Sequence, residues 1–315
     1  MAKSPFQYNP TLTGIALAYS NPAYTLIADQ VLPRTQVATE AFEYLSFPVE
    51  DQYTVPDTRV GRTSKVNQIE FGGTKVGSST EDYGLEDPIP SKDMTNAANS
   101  RVGYDPQGKA VEYLTNLILL DREVRTAGVV FNAANYPTNN KTTLSGTGQW
   151  SDYANSDPVA AILDARDLLL IPGNTLVLGQ QVWTKLKQHP KVISKVLGSA
   201  NSIGMVSRQA FMDALEIPRL AIGQSFVNTA RKGQAGVMAR TWGKHASILF
   251  IDEGADTNRG ITFGYTAEFE NRIAGTIMDD PDIGLRGGIR VRVGMSVKEM
   301  IAASNLGYFW QNAIA

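Results

Sequence analysis

Between Asp105 and Pro137 the sequence writes one long helix, and a rod of that length decides much of what the rest can become. Asp105 suits the position before the first turn, where a short carboxylate accepts backbone N–H groups; Pro106 suits the first turn itself, where its missing N–H costs nothing. Ala110, Tyr113, Leu117, Leu120, Val124, Ala127, Phe131 and Ala134 then recur at alternating three- and four-residue steps, which places them on one side. Glu112, Asn116, Glu123 and Thr126 fall elsewhere, and Asp121 with Arg125 forms a favourably ordered i, i+4 pair. With a rise of about 1.5 Å per residue, the rod is roughly 40 Å long. Tyr136-Pro137 ends it. The spacing predicts that the stripe, with Leu117 at its centre, is core.

The chain before this rod has little core of its own. Asn9-Pro10 and Asn21-Pro22 break any pattern in the first 40 residues, and the stretch from Ala23 to Asp29 allows a short helix. Phe6, Tyr8, Leu12, Ile15, Leu17, Tyr19, Tyr24, Leu26 and Ile27 need a surface to lie on, so this segment reads as an arm. Residues 42–90 are strand-like and full of turn residues: Asn67, Ile69 and Phe71 alternate with Gln68 and Glu70, and Pro56-Asp57, Gly72-Gly73 and Gly77-Ser78-Ser79 mark turns. Charge here is dense and mixed, and few large apolar residues face a second layer. A two-stranded ribbon of this kind is marginal alone. Arg59, Arg62, Lys65, Glu70, Lys75, Glu81, Glu86 and Asp87 are therefore the candidate contacts to a neighbouring subunit.

From residue 157 helices and strands alternate. Asp157-Pro158 opens a helix to about Leu170, Thr175 to Leu178 is a buried strand, and helices follow over Gln180–His189, Lys191–Leu197 and Ser207–Leu215. Arg219–Ile222 and Ser247–Ile251 are further strands. Near the end, Ile261, Phe263, Tyr265, Ala267 and Phe269 alternate with small or polar residues, as do Ile289, Val291, Val293 and Met295, the pattern of half-buried antiparallel strands. The apolar tail from Leu306 to Ile314 must pack or meet a partner. The whole is an α+β chain.

Chemistry-bearing residues are scarce. The 315 residues hold no cysteine, so no disulfide, cysteine zinc site or thiol nucleophile is available. His189 and His245 are the sole histidines; the first reads as a helix-end residue and the second as a strand start. Ser225, in Gly223-Gln224-Ser225-Phe226-Val227, lacks the second glycine of a nucleophile elbow. Asp279, Asp280 and Asp282 lack the spacing of a calcium loop and read as a solvated turn. No cofactor or metal is expected. Lys plus Arg is 29 and Asp plus Glu is 31, a net charge of −2, which argues against a dedicated nucleic-acid binder. Arg286, Arg290 and Arg292 read as the polar face of a strand or as partners for Asp and Glu. Only 19% of residues are charged, which suits subunits that cover one another. No apolar run spans a membrane, and the start, Met1-Ala2-Lys3-Ser4-Pro5, shows no secretory pattern.

Several stretches resemble the major capsid proteins of tailed double-stranded DNA bacteriophages, the HK97-type fold. Tyr83-Gly84-Leu85-Glu86-Asp87-Pro88-Ile89-Pro90 is similar to that family's exit from its extended loop; Gln181-Val182-Trp183-Thr184-Lys185-Leu186-Lys187-Gln188-His189-Pro190-Lys191-Val192 is similar to the helix after its first axial strand. Trp242-Gly243-Lys244 and the run from Arg290 to Ile301 add to the likeness, and the order of the parts makes it specific. The resemblance implies an N-terminal arm over 1–41, an extended loop over 42–90 lying on a neighbour, and a peripheral domain with the spine helix over 91–156. An axial domain over 157–288 and returning peripheral strands with the tail over 289–315 complete it. It further implies pentamers and hexamers closing into an icosahedral shell around double-stranded DNA, without enzymatic activity. An arm beginning at Met1 suggests a separate scaffolding protein, with a portal and a decoration protein as further partners, no membrane, and assembly in the host cytoplasm. Lys65 and Lys75 stand where some family members cross-link, but no partner residue matches and no cross-link is expected. The alternatives are an encapsulin-like shell and, from another class, a hydrolase acting through Ser225 or Asp252 and Glu253.

Overall fold

A computed structural model describes residues 6–19, 25–46, 53, 55–68, 74–100, 103–198, 204–231, 233–257 and 259–315. Two five-stranded sheets organise them. In the first, β1 (Gln7–Tyr8), β12 (Gly264–Asp280), β13 (Gly288–Ile301) and β5 (Glu81–Pro90) lie side by side and antiparallel, with β2 (Arg34–Val37) added parallel to β12. In the second, the order is β6 (Lys141–Thr143), β14 (Gly307–Gln311), β11 (Ala246–Leu249), β7 (Thr175–Gly179) and β8 (Arg219–Gly223). Two small ribbons stand apart: β3 (Ala41–Ser46) with β4 (Thr74–Ser79), and β9 (Phe226–Asn228) with β10 (Met238–Arg240).

The rod is real and connects the sheets. Helix α4 (Pro106–Val130) begins as expected, Asp105 accepting from the Gln107 N–H with Pro106 in the first turn. Its first half packs Ala110, Val111, Leu114 and Ile118 on Val291, Val293, Met295 and Val297 of the first sheet, together with Leu12 and Ala16 of α1 (Pro10–Ala18). Its last turn puts Ala127 and Val130 among Val177, Trp242, Leu249, Phe263 and Phe309, under the second sheet. The other side of that sheet is covered by α5 (Pro158–Leu168), α6 (Gln180–Leu186), α7 (Pro190–Leu197) and α8 (Arg208–Leu215), around Ile162, Trp183, Ile193 and Phe211. Each fully buried aliphatic side chain of this kind contributes about 1.5–3 kcal/mol of transfer free energy.

The face that α4 buries is not the predicted one. Tyr113, Leu117 and Val124 are exposed, Leu117 at 39%, while Thr115, Arg122, Glu123 and Thr126 are fully buried. Apolar periodicity alone selected the neighbouring stripe because four of the eleven buried residues of α4 are polar. Glu123 and Arg122 have long-range partners, while Thr115 Oγ1 and Thr126 Oγ1 have none among the described residues. Glu123 accepts from the N–H groups of Ile27 (3.0 Å) and Ala28 (2.8 Å) and from Trp242 Nε1–H (2.6 Å). Arg122 donates to Asp29 (2.6 Å), to the Leu32 carbonyl (3.2 Å) and to Thr266 Oγ1 (3.1 Å). The helix also stops at Val130, short of Ala134: Asn132 caps a separate short turn over Ala133–Asn135.

Other expectations need correction. Asn9-Pro10 does not interrupt a helix but starts α1, Asn9 Oδ1 accepting from Thr11 and Leu12 while Pro10 takes the first turn. The short helix near the arm's end is α2 (Ala28–Val31), later than predicted; Asn21, Pro22, Ala23 and Tyr24 lie outside the described residues. Strand β5 leaves the ribbon and pairs with β13 from Gly288↔Pro90 to Val297↔Glu81, and α3 (Ser91–Ala98) follows it directly. Strand β12 pairs with β13 and not with the α/β sheet. The tail crosses the other way, β14 pairing with β11 from Ala246↔Trp310 to Leu249↔Gly307. The alternation of Ile289, Val291, Val293 and Met295 is as read, their side chains turned to α4. The three C-terminal aspartates are not simply a solvated turn, since Asp280 is buried and pairs with Arg290.

Candidate subunit interface

The ribbon is rooted in the body and bare beyond it. Its strands pair from Ala41↔Ser79 to Ser46↔Thr74. Phe42 and Tyr44 pack at the root against Val37, Tyr265, Ala267 and Met300, and Ser296 Oγ donates to Thr80 Oγ1 (2.9 Å). Farther out, Tyr53 Oη donates to the Leu170 carbonyl (3.3 Å). Among the described residues the lobe at 55–68 is held by local bonds: Arg59 N–H to Asp57 Oδ1 (2.9 Å), Ser64 N–H to the Gly61 carbonyl (3.0 Å), and Asn67 Nδ2 to the Asp57 carbonyl (2.6 Å). Val55 is 89% exposed and Val66 68% exposed.

The candidate contact residues fall into two groups. Arg59, Arg62 and Lys65 are exposed on this lobe and have no ion-pair partner among the described residues. Glu70, like Ile69 and Phe71, lies outside the described residues. The others find partners at home. Lys75 meets Glu43 across the ribbon at 3.3 Å. Glu86 stands directly opposite Arg292 in the β5–β13 ladder and accepts from its Nε (2.8 Å), with Arg290 also near at 3.7 Å. Glu81 accepts from Lys298 Nζ (2.5 Å) and from Tyr83 Oη (2.9 Å). The hydrogen bonds from Lys298 and Tyr83 hold the Glu81 carboxyl below the usual carboxylate range. Burial and the bond to Glu81 push the Tyr83 hydroxyl up to about 12. The guanidinium of Arg125 lies 3.5 Å from the centre of the Tyr83 ring. Asp87 has no ion-pair partner among the described residues and lines a surface groove of about 530 Å³ with Asp93, Tyr104 and Pro106. Glu81, Glu86 and Lys75 therefore order their own subunit, because their strands are paired within the chain.

Two further projections carry apolar residues that charge counting overlooked. The β9–β10 hairpin exposes Phe226, Val237 and Met238, with the Arg240 guanidinium 4.3 Å from the centre of the Phe226 ring. The turn between β12 and β13 presents Leu285 at 98% exposure. Leu285 is a lone large apolar residue among turn residues, and Phe226, Val237 and Met238 belong to short apolar pairs in a turn-rich stretch.

The groups that suggested hydrolysis are otherwise engaged. His189 is fully buried; its Nδ1 accepts from the Lys191 N–H (3.2 Å) and so caps α7. Its proton therefore sits on Nε2, which faces Ser156 Oγ at 3.0 Å and has no lone pair to take a proton from it. This corrects the reading of His189 as a helix-end residue, since it caps a helix start; burial and the nearby Lys191 lower its pKa, and a cation would be disfavoured at a helix N-terminus. His245 Nδ1 accepts from the Asn312 N–H (3.0 Å). Ser225 is buried, and Glu253 pairs with Arg219. Among the described residues no cluster of three or more His, Asp or Glu side chains is placed to hold a metal ion.

Comparison with known proteins agrees with this picture of a building block. The profile of the family described as phage major capsid protein E matches residues 113–276. The major capsid protein of Pseudomonas phage JBD67 is 47% identical over 315 residues, the full length of both chains. A crystal structure of a phage-related protein from Bordetella bronchiseptica RB50 superposes with a TM-score of 0.76 at 20% identity, covering 99% of each chain. The capsid structure of cyanophage P-SCSP1u gives a TM-score of 0.58 at 11% identity over 93% of this chain and 90% of that one. The architecture is thus the HK97-type capsid fold expected from the sequence.

Proposed function

The chain belongs to the phage major capsid protein family, and from that membership we propose that its copies join as pentamers and hexamers into an icosahedral shell around double-stranded DNA. The observation that carries the reading is the lobe at 55–68, where three cations without an ion-pair partner among the described residues stand beside exposed valines. A ribbon of this kind gains order and stability when a second copy supplies a layer for it to lie on. Its charges give register more than affinity, and many identical weak contacts sum through closed symmetry. The first sheet with its spine helix serves as the peripheral domain, and the second sheet with α5 to α8 as the axial domain that gathers at the symmetry centres. The β9–β10 hairpin and Leu285 are the further contacts this packing uses. Assembly in the host cytoplasm, on a separate scaffolding protein and around a portal, completes the proposal, with a decoration protein on the finished surface.

Simultaneous reversal of Arg59, Arg62 and Lys65 to glutamate tests it. The expected result is a soluble subunit with unchanged circular dichroism that no longer forms closed particles in electron micrographs. Normal shells from the triple variant overturn the role given to the lobe.

A further inference from the structure

Arg272 on β12 is a buried cation. It is 8% exposed, its Nη1 donates to the Ala16 carbonyl (2.9 Å), and its Nε has no hydrogen-bond partner among the described residues. Among the described residues no carboxylate lies within ion-pairing distance of it. Burial and the cation of Arg34 push its pKa down, Glu268 and Asp29 oppose the shift, and Arg122 adds a smaller repulsion. A buried charge normally has a partner, since desolvation without one is costly. Here the side chain faces a cavity. Arg272, Arg122 and Arg34 line a cavity of about 260 Å³ between α1, α4 and the start of α2. That volume is several times the roughly 30 Å³ share of one liquid water.

The carboxylates on its wall are spent. Asp29 is taken by Arg122 and Arg34, and Glu123 by Ile27, Ala28 and Trp242. Neutral donors remain. Asn116 Nδ2 donates to Tyr19 Oη (2.9 Å), which leaves the Tyr19 hydroxyl proton free to turn toward a ligand. Three guanidinium groups, an amide and a phenol around one small cavity make a set rich in donors, although Asp29 and Glu123 on the wall and Glu268 beside Arg34 balance the three charges.

We propose that this cavity binds a small tetrahedral oxyanion of the phosphate type, held by Arg272 and by the Tyr19 hydroxyl. Guanidinium forks match phosphate oxygens in geometry and charge. The bound anion would tie α1, α4 and β12 together where the arm meets the body. The inference goes beyond shell building and stands or falls independently of it.

The test follows thermal unfolding of the soluble full-length chain in rising inorganic phosphate, with sodium chloride at matched ionic strength and pH as the reference. Phosphate strengthens apolar burial in any protein, so the saturable part and its loss in Arg272→Gln are the reading. The expected result is a midpoint that rises and saturates in the wild type, with half-saturation about tenfold weaker in Arg272→Gln, the loss of one charge-assisted bond. Equal, non-saturating rises in both proteins overturn the proposal. Should the variant fail to fold, phosphorus NMR of the wild type decides: saturable broadening of the phosphate line, relieved by excess sulfate, supports the site, and an unbroadened line overturns it. A short DNA oligonucleotide in place of phosphate sorts the source, competition showing that backbone phosphate enters and its absence that the free ion alone does.

Discussion

Removing the Glu123 carboxylate should weaken the subunit more than removing any single aliphatic contact of α4. The side chain is fully buried and accepts three N–H groups from two other parts of the chain, Ile27 and Ala28 from the arm and Trp242 from the segment before β11. Burial pushes its pKa up, and the bonds from Ile27, Trp242 and Ala28 pull against that shift. Glu123→Ala strands all three donors. At about 1–3 kcal/mol for each buried group left unpaired, and with some relaxation, the loss is on the order of 3–6 kcal/mol. Glu123→Gln keeps the shape but replaces one acceptor oxygen with a donor, so at least one N–H is stranded, a loss of about 1–3 kcal/mol. Trp242→Phe removes one donor together with the need to satisfy it. In the double variant Glu123→Ala with Trp242→Phe, the two losses should therefore sum to about 1.5–3 kcal/mol less than the singles. Urea unfolding of the soluble subunit, followed by circular dichroism, measures all four corners. Additivity within about 0.5 kcal/mol refutes the reasoning, because it means Glu123 and Trp242 do not share their energy.

Ile118→Asp should give insoluble or unfolded protein, whereas Leu117→Asp should leave a folded subunit, a contrast that a solubility and circular dichroism comparison reads directly; the opposite ranking refutes the assigned face of α4. Stability should fall as pH drops below about 6.5, because the unfolded chain binds a proton at His189 before the folded chain does. His189→Asn keeps a capping side chain and removes the titration, so its stability should be flatter between about pH 5 and 7; identical pH profiles contradict this. Gly223→Ala should destabilise markedly, since a Cβ there would lie 2.1 Å from the Trp242 ring, and an unchanged unfolding midpoint contradicts the close packing.

What the sequence disclosed followed the strength of its local signals. Asp105-Pro106, Asp157-Pro158 and Ser207 announced three helix starts because capping is a short-range matter of one side chain and the next few N–H groups. The alternation of Val291, Val293 and Met295 announced β13 because one face of the sheet is covered by α4 and the other is not. The face of α4 was hidden because it includes Arg122 and Glu123, which are buried with long-range partners such as Asp29, Thr266 and Trp242 that no local period encodes. Strand β5 was misjudged for the same reason: its carboxylates look unpaired until Arg292 and Lys298, some 200 residues later, come alongside. On the candidate interface, composition located the charged ribbon but could not separate residues that pair at home from Arg59, Arg62 and Lys65 on its bare lobe. The valines beside them became visible as a surface once their exposure was seen.

The most direct measurement is an electron cryomicroscopy reconstruction of the particles formed by this chain, read at residues 55–68. A neighbouring copy should cover Val55 and Val66 and place acidic groups beside Arg59, Arg62 and Lys65. A reconstruction in which that lobe stands free in solvent, or lies on its own subunit, contradicts the account.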